Sequence, residues 1–282
     1  HDLCTSYAAK NPGFDVPKSI KDKKLLEFNR TLKVDKDEEI AQVTIFRPEA
    51  MNAFTVEMLA AMDACFADFQ NDDDLWVAIF TGTGDKAFCA GMDLAEAIPK
   101  LNAGDELGYS DHTKRPFCDV FKPIITAVNG FCIAGGMEFM QGTDIRIAAE
   151  HATFGLGEVR FGLIPMGGTH VRLPRQIPWA VAMELLLTGE NIDAARAYDI
   201  GLINRVVPKE KLMEEAMKMA GKICQNGPYA VRTAKEIVVR QADLEGAFVL
   251  EKAIGRRVFS SEDAQEGPRA FMEKRKPNFK GR

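Results

Sequence analysis

Three glycine-rich segments constrain this chain more than any other feature. They read GTGDKAFCAGMDL (82–94), AVNGFCIAGGMEF (127–139) and FGLGEVRFGLIPMGGT (154–169). In each, glycine stands beside the end of an apolar run, where a backbone must approach something closely or take a positive φ. One such segment is an ordinary turn after a strand. Three in this order give an alternation of buried strand, glycine turn and helix, which is the grammar of parallel units wound with right-handed crossovers. The first two-thirds of the chain is therefore expected to be α/β.

The flanking patterns agree. Residues 76–81, 124–128 and 144–148 are short apolar runs of the kind buried on both faces of a parallel sheet. Residues 55–69 place Met58, Leu59, Met62, Cys65, Phe66 and Phe69 at three- and four-residue spacings, which is a helix face. Residues 25–46 hold two roughly alternating runs around the polar DKDEE and predict a hairpin. Residues 1–24 mix Pro, Gly, Asn, Ser and Lys without periodicity and read as an extension, with order beginning near Leu25. After about Gly167 the pattern turns helical, over 181–188, 211–224, 229–240 and 244–257, with only 202–207 extended. The expected organisation is an extension over 1–24, an α/β core with the chemistry over 25–200, and a helical region over 201–282. The last of these carries apolar stripes suited either to its own core or to a neighbour.

Composition removes several classes of function. A net charge of -5 argues against a nucleic-acid surface, which leans on clustered Lys and Arg. The basic C-terminal run EKRKPNFKGR reads first as a solvated tail and second as a partner for an anionic small molecule. Six cysteines show no C-x-x-C pair, and four histidines form no H-E-x-x-H array, so no metal site is expected. No run of about 18 apolar residues predicts a membrane span. A cytoplasmic or organelle-matrix setting is the expectation.

The glycine segments also position chemistry. Asp93 is placed to cap a helix starting at Leu94, leaving the backbone N–H of Met92 to point into a cleft. The N–H of Gly135 stands at a helix N-terminus, where the backbone carries partial positive charge. Two such N–H groups meeting on one oxygen make an oxyanion hole.

The segment AVNGFCIAGGMEFMQGTDIRIA (127–148) resembles the signature of the crotonase superfamily, which is the enoyl-CoA hydratase/isomerase family. The resemblance continues through RPEAMNAF (47–54), KAFCAGMDL (86–94), 154–175, 187–208 and AFMEKRKPNF (270–279), so that all but about the first 25 residues are covered. It implies a spiral of ββα units with a helical C-terminal trimerisation region, an acyl-CoA thioester substrate, no metal or redox cofactor, and trimers that pair into hexamers. It also implies that the N–H groups of Met92 and Gly135 hold the thioester oxygen. Backbone near Lys86, Ala87 and Phe88 would meet the adenine, and Ala90, Asp93, Leu94 and Ala95 belong to the same coenzyme A segment. A terminal segment with Phe271 and Lys274 would close the site.

Glu138 stands one turn into the helix opened by Gly135, and Glu158 falls where the family places its second carboxylate. Either alone reads as a solvated acid. Their apolar flanks, Met137, Phe139, Leu156 and Val159, instead predict partial burial, and two buried like charges raise at least one pKa to give an acid and a base in one site. Relatives that hydrate enoyl-CoA resemble this chain in carrying both glutamates, whereas isomerases and hydrolases often keep one. The expected reaction is syn addition of water to a trans-2-enoyl-CoA. The alternatives are isomerisation, thioester hydrolysis, hydration of a cyclic or branched enoyl-CoA, and, in another class, nucleic-acid binding. Met92, Ala134, Gly157 and the short PMGGT depart from the commonest hydratase pattern, and with Phe161 and Met166 they bear on the acyl pocket. Arg160 is a possible partner for Glu158 only if the two share a face. Tyr109, His112 and Phe117 lie in the stretch where the family varies its acyl specificity.

Overall fold

The computed structural model describes residues 26–28, 32–37, 39–102 and 113–281. The N-terminal extension, Tyr109 and His112 lie outside these residues. Two sheets share the strands. The larger contains β1 (Leu26–Phe28), β2 (Leu32–Asp37), β3 (Ile40–Ile45), β4 (Val77–Gly82), β6 (Ile124–Val128), β8 (Ile145–Ala149) and β11 (Arg205–Val207), in that spatial order. The smaller runs β10 (Ile192–Asp193), β9 (Thr153–Gly155), β7 (Phe131–Ile133) and β5 (Ala87–Cys89). Along the chain, β4, β6 and β8 of the large sheet are each followed by a strand of the small one, β5, β7 and β9. A helix follows the first two of these pairs, α2 (Leu94–Asn102) and α3 (Gly135–Gln141), so the chain climbs in ββα turns as the sequence implied. From β3 to β11 the large sheet is parallel.

Both faces of that sheet are covered, which is why its strands are apolar throughout. Ala78 and Phe80 of β4 face a core shared with α1 (Val56–Asn71), while Val77 and Ile79 face α7 (Leu212–Cys224) through Leu212, Ala216 and Ala220. The first core is aromatic. Phe66, Phe80, Phe88, Phe117 and Phe139 meet mostly edge to face, with centroids 4.6–6.4 Å apart. Each buried phenylalanine stabilises the fold by about 1.5–3 kcal/mol over exposure.

Glycine is required where the two sheets are stitched together. A Cβ on Gly130 would strike the carbonyl of Lys86, and one on Gly136 would strike the carbonyl of Cys89. The turn after β6 and the start of α3 are thereby pressed onto β5, which brings two of the glycine segments to one place.

The remaining helices are α4 (Thr169–Gln176), α5 (Trp179–Thr188), α6 (Ala194–Asp199), α8 (Pro228–Gln241), α9 (Glu245–Phe259) and α10 (Glu262–Met272). The hairpin forms as expected between β2 and β3, with β1 added outside it. The extended reading of 202–207 is corrected: only Arg205–Val207 is strand. Gly201 takes φ +77, and the N–H groups of Leu202 and Ile203 turn back onto the carbonyl of Ala197. The helices α4, α6 and α10 did not register as helices in the sequence. Pro174 and Pro268 lie inside α4 and α10 and read as breakers. Gly267 is instead where α10 packs on the backbone of Phe161, and Pro268 is buried beside it.

Candidate active site

A cavity of about 520 Å³ opens between the two glycine segments, α9 and the turn after β9. Its wall includes Met92, Gly135, Glu138 and Glu158, together with Ala90 and Leu94. The elements that hold each group follow from local backbone needs. Met92 sits between two hydrogen bonds that fasten its segment to Phe54: Phe54 N–H donates to the carbonyl of Gly91 at 2.9 Å, and Asp93 N–H donates to the carbonyl of Phe54 at 2.8 Å. The N–H of Met92, between these anchors, donates to no backbone carbonyl among the described residues. Asp93 accepts from Ala95 N–H at 3.0 Å, as a cap does, and its other oxygen takes Arg47 at 2.9 Å.

Gly135 is the first residue of α3, and its N–H likewise has no acceptor among the described residues. The residue before it, Ala134, takes φ 52 and ψ −125, a region that costs about 1–3 kcal/mol for a residue with a Cβ. A Cβ on Gly135 would lie 2.5 Å from the ring of Phe54, so glycine is needed there too.

Glu138 is buried on α3 and is clamped. The N–H of Gly167 donates to its Oε1 at 2.6 Å and the hydroxyl of Thr169 donates to the same oxygen at 3.2 Å. Glu158 lies on a short 3₁₀ turn, Gly157–Phe161, and its Oε2 is buried with no hydrogen-bond partner. Burial raises both carboxyls above the usual carboxylate range. The negative charge of Glu251 raises Glu138 further, and the charge of Glu138 raises Glu158. The two donors on Glu138 oppose the rise there, while Glu158 has no side-chain donor to do so. The rise is therefore opposed more strongly at Glu138 than at Glu158, which favours the proton on Glu158. Arg160 does not neutralise Glu158: on a 3₁₀ turn residues two apart leave on different sides, and its exposed side chain lies along Gly189.

This ordering carries a prediction. Rate should be bell-shaped in pH, falling on the acid side as Glu138 protonates and on the alkaline side as Glu158 ionises. Stability has a definite sign as well. A carboxyl raised above its unfolded value holds more protons folded than unfolded, so its contribution is full below the unfolded value and is lost as pH rises through the folded one. Glu158→Gln is therefore expected to be at least as stable as the parent at neutral pH, with a flatter pH dependence. Urea melts of both proteins across pH 5–9 check this.

The other residues expected at the site do not line the cavity. Lys86 is exposed and its carbonyl accepts from Phe131 N–H at 2.9 Å. The carbonyl of Ala87 accepts from Asn52 Nδ2 at 2.7 Å and from Asn129 Nδ2 at 3.1 Å, and Phe88 is fully buried. Asp93 and Ala95 alternate in sequence with the lining residues Met92 and Leu94 but are not in the wall themselves, and Ala95 is exposed. Phe271 is exposed but reaches the cavity indirectly, edge-on to Phe161 at 5.2 Å, while Lys274 is exposed beyond it. Sequence reasoning passed over Gly167 and Thr169. Their signal was available, since Gly-Gly-Thr before a helix leaves N–H groups without partners. It also passed over Arg115, Lys252 and Arg256 in the cavity wall, for which distant segments must be known to meet.

Two residues whose backbone N–H groups have no acceptor among the described residues, and two carboxyls raised by burial, share one cavity wall, an arrangement suited to a class of enzyme that holds a developing oxyanion while moving protons at carbon. Comparison with known proteins narrows the class. The model of the family described as enoyl-CoA hydratase/isomerase matches residues 35–282. The chain belongs to the enoyl-CoA hydratase/isomerase family. Among its relatives, enoyl-CoA hydratase EchA19 of Mycobacterium tuberculosis is 45% identical over 85% of this chain and 92% of its own. The short-chain-enoyl-CoA hydratase of Clostridium acetobutylicum is 38% identical over 91% of this chain and 100% of its own. A solved structure of carnitinyl-CoA hydratase from Mycobacterium avium superposes with a TM-score of 0.81 at 37% identity, covering 90% of this chain and 99% of that one.

Proposed function

We propose that the protein is an enoyl-CoA hydratase that adds water syn across the C2=C3 bond of a trans-2-enoyl-CoA. The observation that carries the reading is the unlike settings of two carboxyls on one cavity, Glu138 with Oε1 clamped by Gly167 N–H and the Thr169 hydroxyl, and Glu158 with a buried Oε2 that has no hydrogen-bond partner. Glu138, as carboxylate, takes a proton from water while the water oxygen bonds to C3. The C2=C3 electron pair moves toward the thioester, and the charge gathers on its oxygen. Met92 and Gly135 N–H hold that oxygen. Glu158 then gives its proton to C2, and the charge returns from the oxygen, so the product is the 3-hydroxyacyl-CoA and the two carboxyls have exchanged protonation states. Coenzyme A is part of the substrate, and the residues named need no other cofactor.

Two hydratase relatives at 45% and 38% identity support this reading over isomerisation or thioester hydrolysis. The test is a panel of straight, branched, cyclic and aromatic 2-enoyl-CoA thioesters with product masses. Gain of one water is expected. Release of free coenzyme A thiol, or an isomer of unchanged mass, would replace the reading.

Self-association into trimers or hexamers belongs to the same reading. The helix α8 buries none of its residues fully, and Tyr229, Ile237 and Val238 on it join Val249, Leu250 and Ile254 of α9 in standing exposed. Light scattering at micromolar concentration should give three chains or a multiple of three, and a monomer would contradict this.

A further inference from the structure

We propose that Glu251 of α9 is a positioning residue for Glu138, acting through the four-residue entry to α4. Its carboxylate is 1% exposed and is fully engaged. Oε2 accepts from Arg115 Nε at 3.1 Å and from Arg115 Nη2 at 3.0 Å. Oε1 accepts from the backbone N–H of His170 at 3.2 Å and lies 3.3 Å from His170 Nδ1. His170 follows directly on the segment that clamps the base, Gly167 to Thr169. Across four residues, then, the chain presents Gly167 N–H and Thr169 hydroxyl to one carboxyl and His170 N–H to another.

The entry has little freedom of its own. Gly168 takes φ +103, and a Cβ there would lie 3.1 Å from the ring of Phe248 and 3.2 Å from Arg115. Arg115 is fixed in turn by the carbonyl of Phe248 at 3.0 Å and stacks over that ring at 5.0 Å. Nothing in the hydration steps requires a third carboxyl at this depth, and an ion pair so buried is a weak source of net stability. Its placement has a use instead. Glu251 sits one residue before Lys252, a cavity-wall residue, and so ties the wall helix to the loop that aims Glu138.

The proposal rests on Glu138 being the base, and the test separates the two. Glu251→Gln keeps the side-chain size but offers one acceptor between two sets of donors. It is expected to lower kcat about 10- to 100-fold, as a small misplacement of a reacting group does, with KM changed by less than about three-fold. The acid limb of its pH profile should move to lower pH, because a negative charge opposing the ionisation of Glu138 has gone. The other titratable groups facing Glu138, namely His170 on α4, Glu158 on the 3₁₀ turn, and Arg115 and Lys252 on the cavity wall, are unchanged.

Glu251→Asp keeps the charge beside Arg115 but is too short to reach both partners. It should show the same loss of kcat with the acid limb in place, and it carries the test if the amide variant does not fold. A kcat within about two-fold of the parent in the folded variants, even with a lowered Tm, overturns the proposal, as does a rise of KM in step with the loss of kcat. Glu138→Gln is measured alongside. If it keeps the parent rate, the base assignment fails. If it is inactive while both Glu251 variants run normally, the positioning proposal alone fails.

Discussion

Glu138→Gln and Glu158→Gln are each expected to cut water addition by about 100- to 10,000-fold, the range supplied by a positioned acid or base. An amide keeps the shape of the carboxyl but exchanges no proton near neutral pH. The fold should survive both changes. Glu158 Oε2 makes no hydrogen bond to lose, and Glu138 offers its acceptor Oε1 to Gly167 and Thr169, which an amide oxygen replaces. The double variant should lose little more than the worse single one, because groups that act as a unit are not additive. Rates of water addition, read with exchange of the C2 proton against deuterated solvent, check this. An enzyme that shuttles one proton through a single carboxyl would tolerate one of the two changes.

Met92→Pro is expected to cost about 100- to 1,000-fold in kcat, the range for loss of one oxyanion donor. The substitution deletes the one backbone N–H at this position while leaving the flanking bonds, Phe54 N–H to Gly91 and Asp93 N–H to Phe54, to other residues. Thioester binding should change far less than kcat, since the bond to the oxygen strengthens as charge develops on it. A parent-like kcat in the folded variant would remove Met92 from the oxyanion hole.

Much of this is legible in the residues themselves, and the parts that are not share a cause. The strands β4, β6 and β8 were readable because a sheet covered on both faces needs unbroken apolar runs, and α1 because one buried face leaves a three- and four-residue spacing. That the N–H groups of Met92 and Gly135 would be left without acceptors was readable because glycine is spent there and the chain order puts a helix start after a strand. What escaped depends on segments far apart in sequence. Nothing near Gly167 says that its N–H meets Glu138, and nothing near Glu251 says that it will be enclosed by Arg115 and His170. The helices α4 and α10 carry prolines inside them, Pro174 and Pro268, against the local rule about helix breaking, and α10 is held by its contact with Phe161.

In the proposed hydration one water is split between C3 and a carboxylate while a second carboxyl protonates C2. The most direct measurement is turnover of a trans-2-enoyl-CoA in H₂¹⁸O and, separately, in D₂O, with the product analysed by mass and NMR. The expected product is a 3-hydroxyacyl-CoA with ¹⁸O on C3 and a single deuterium at C2, on the same face as the new hydroxyl. A product with deuterium but no ¹⁸O, or with ¹⁸O in a free carboxylic acid, would contradict it.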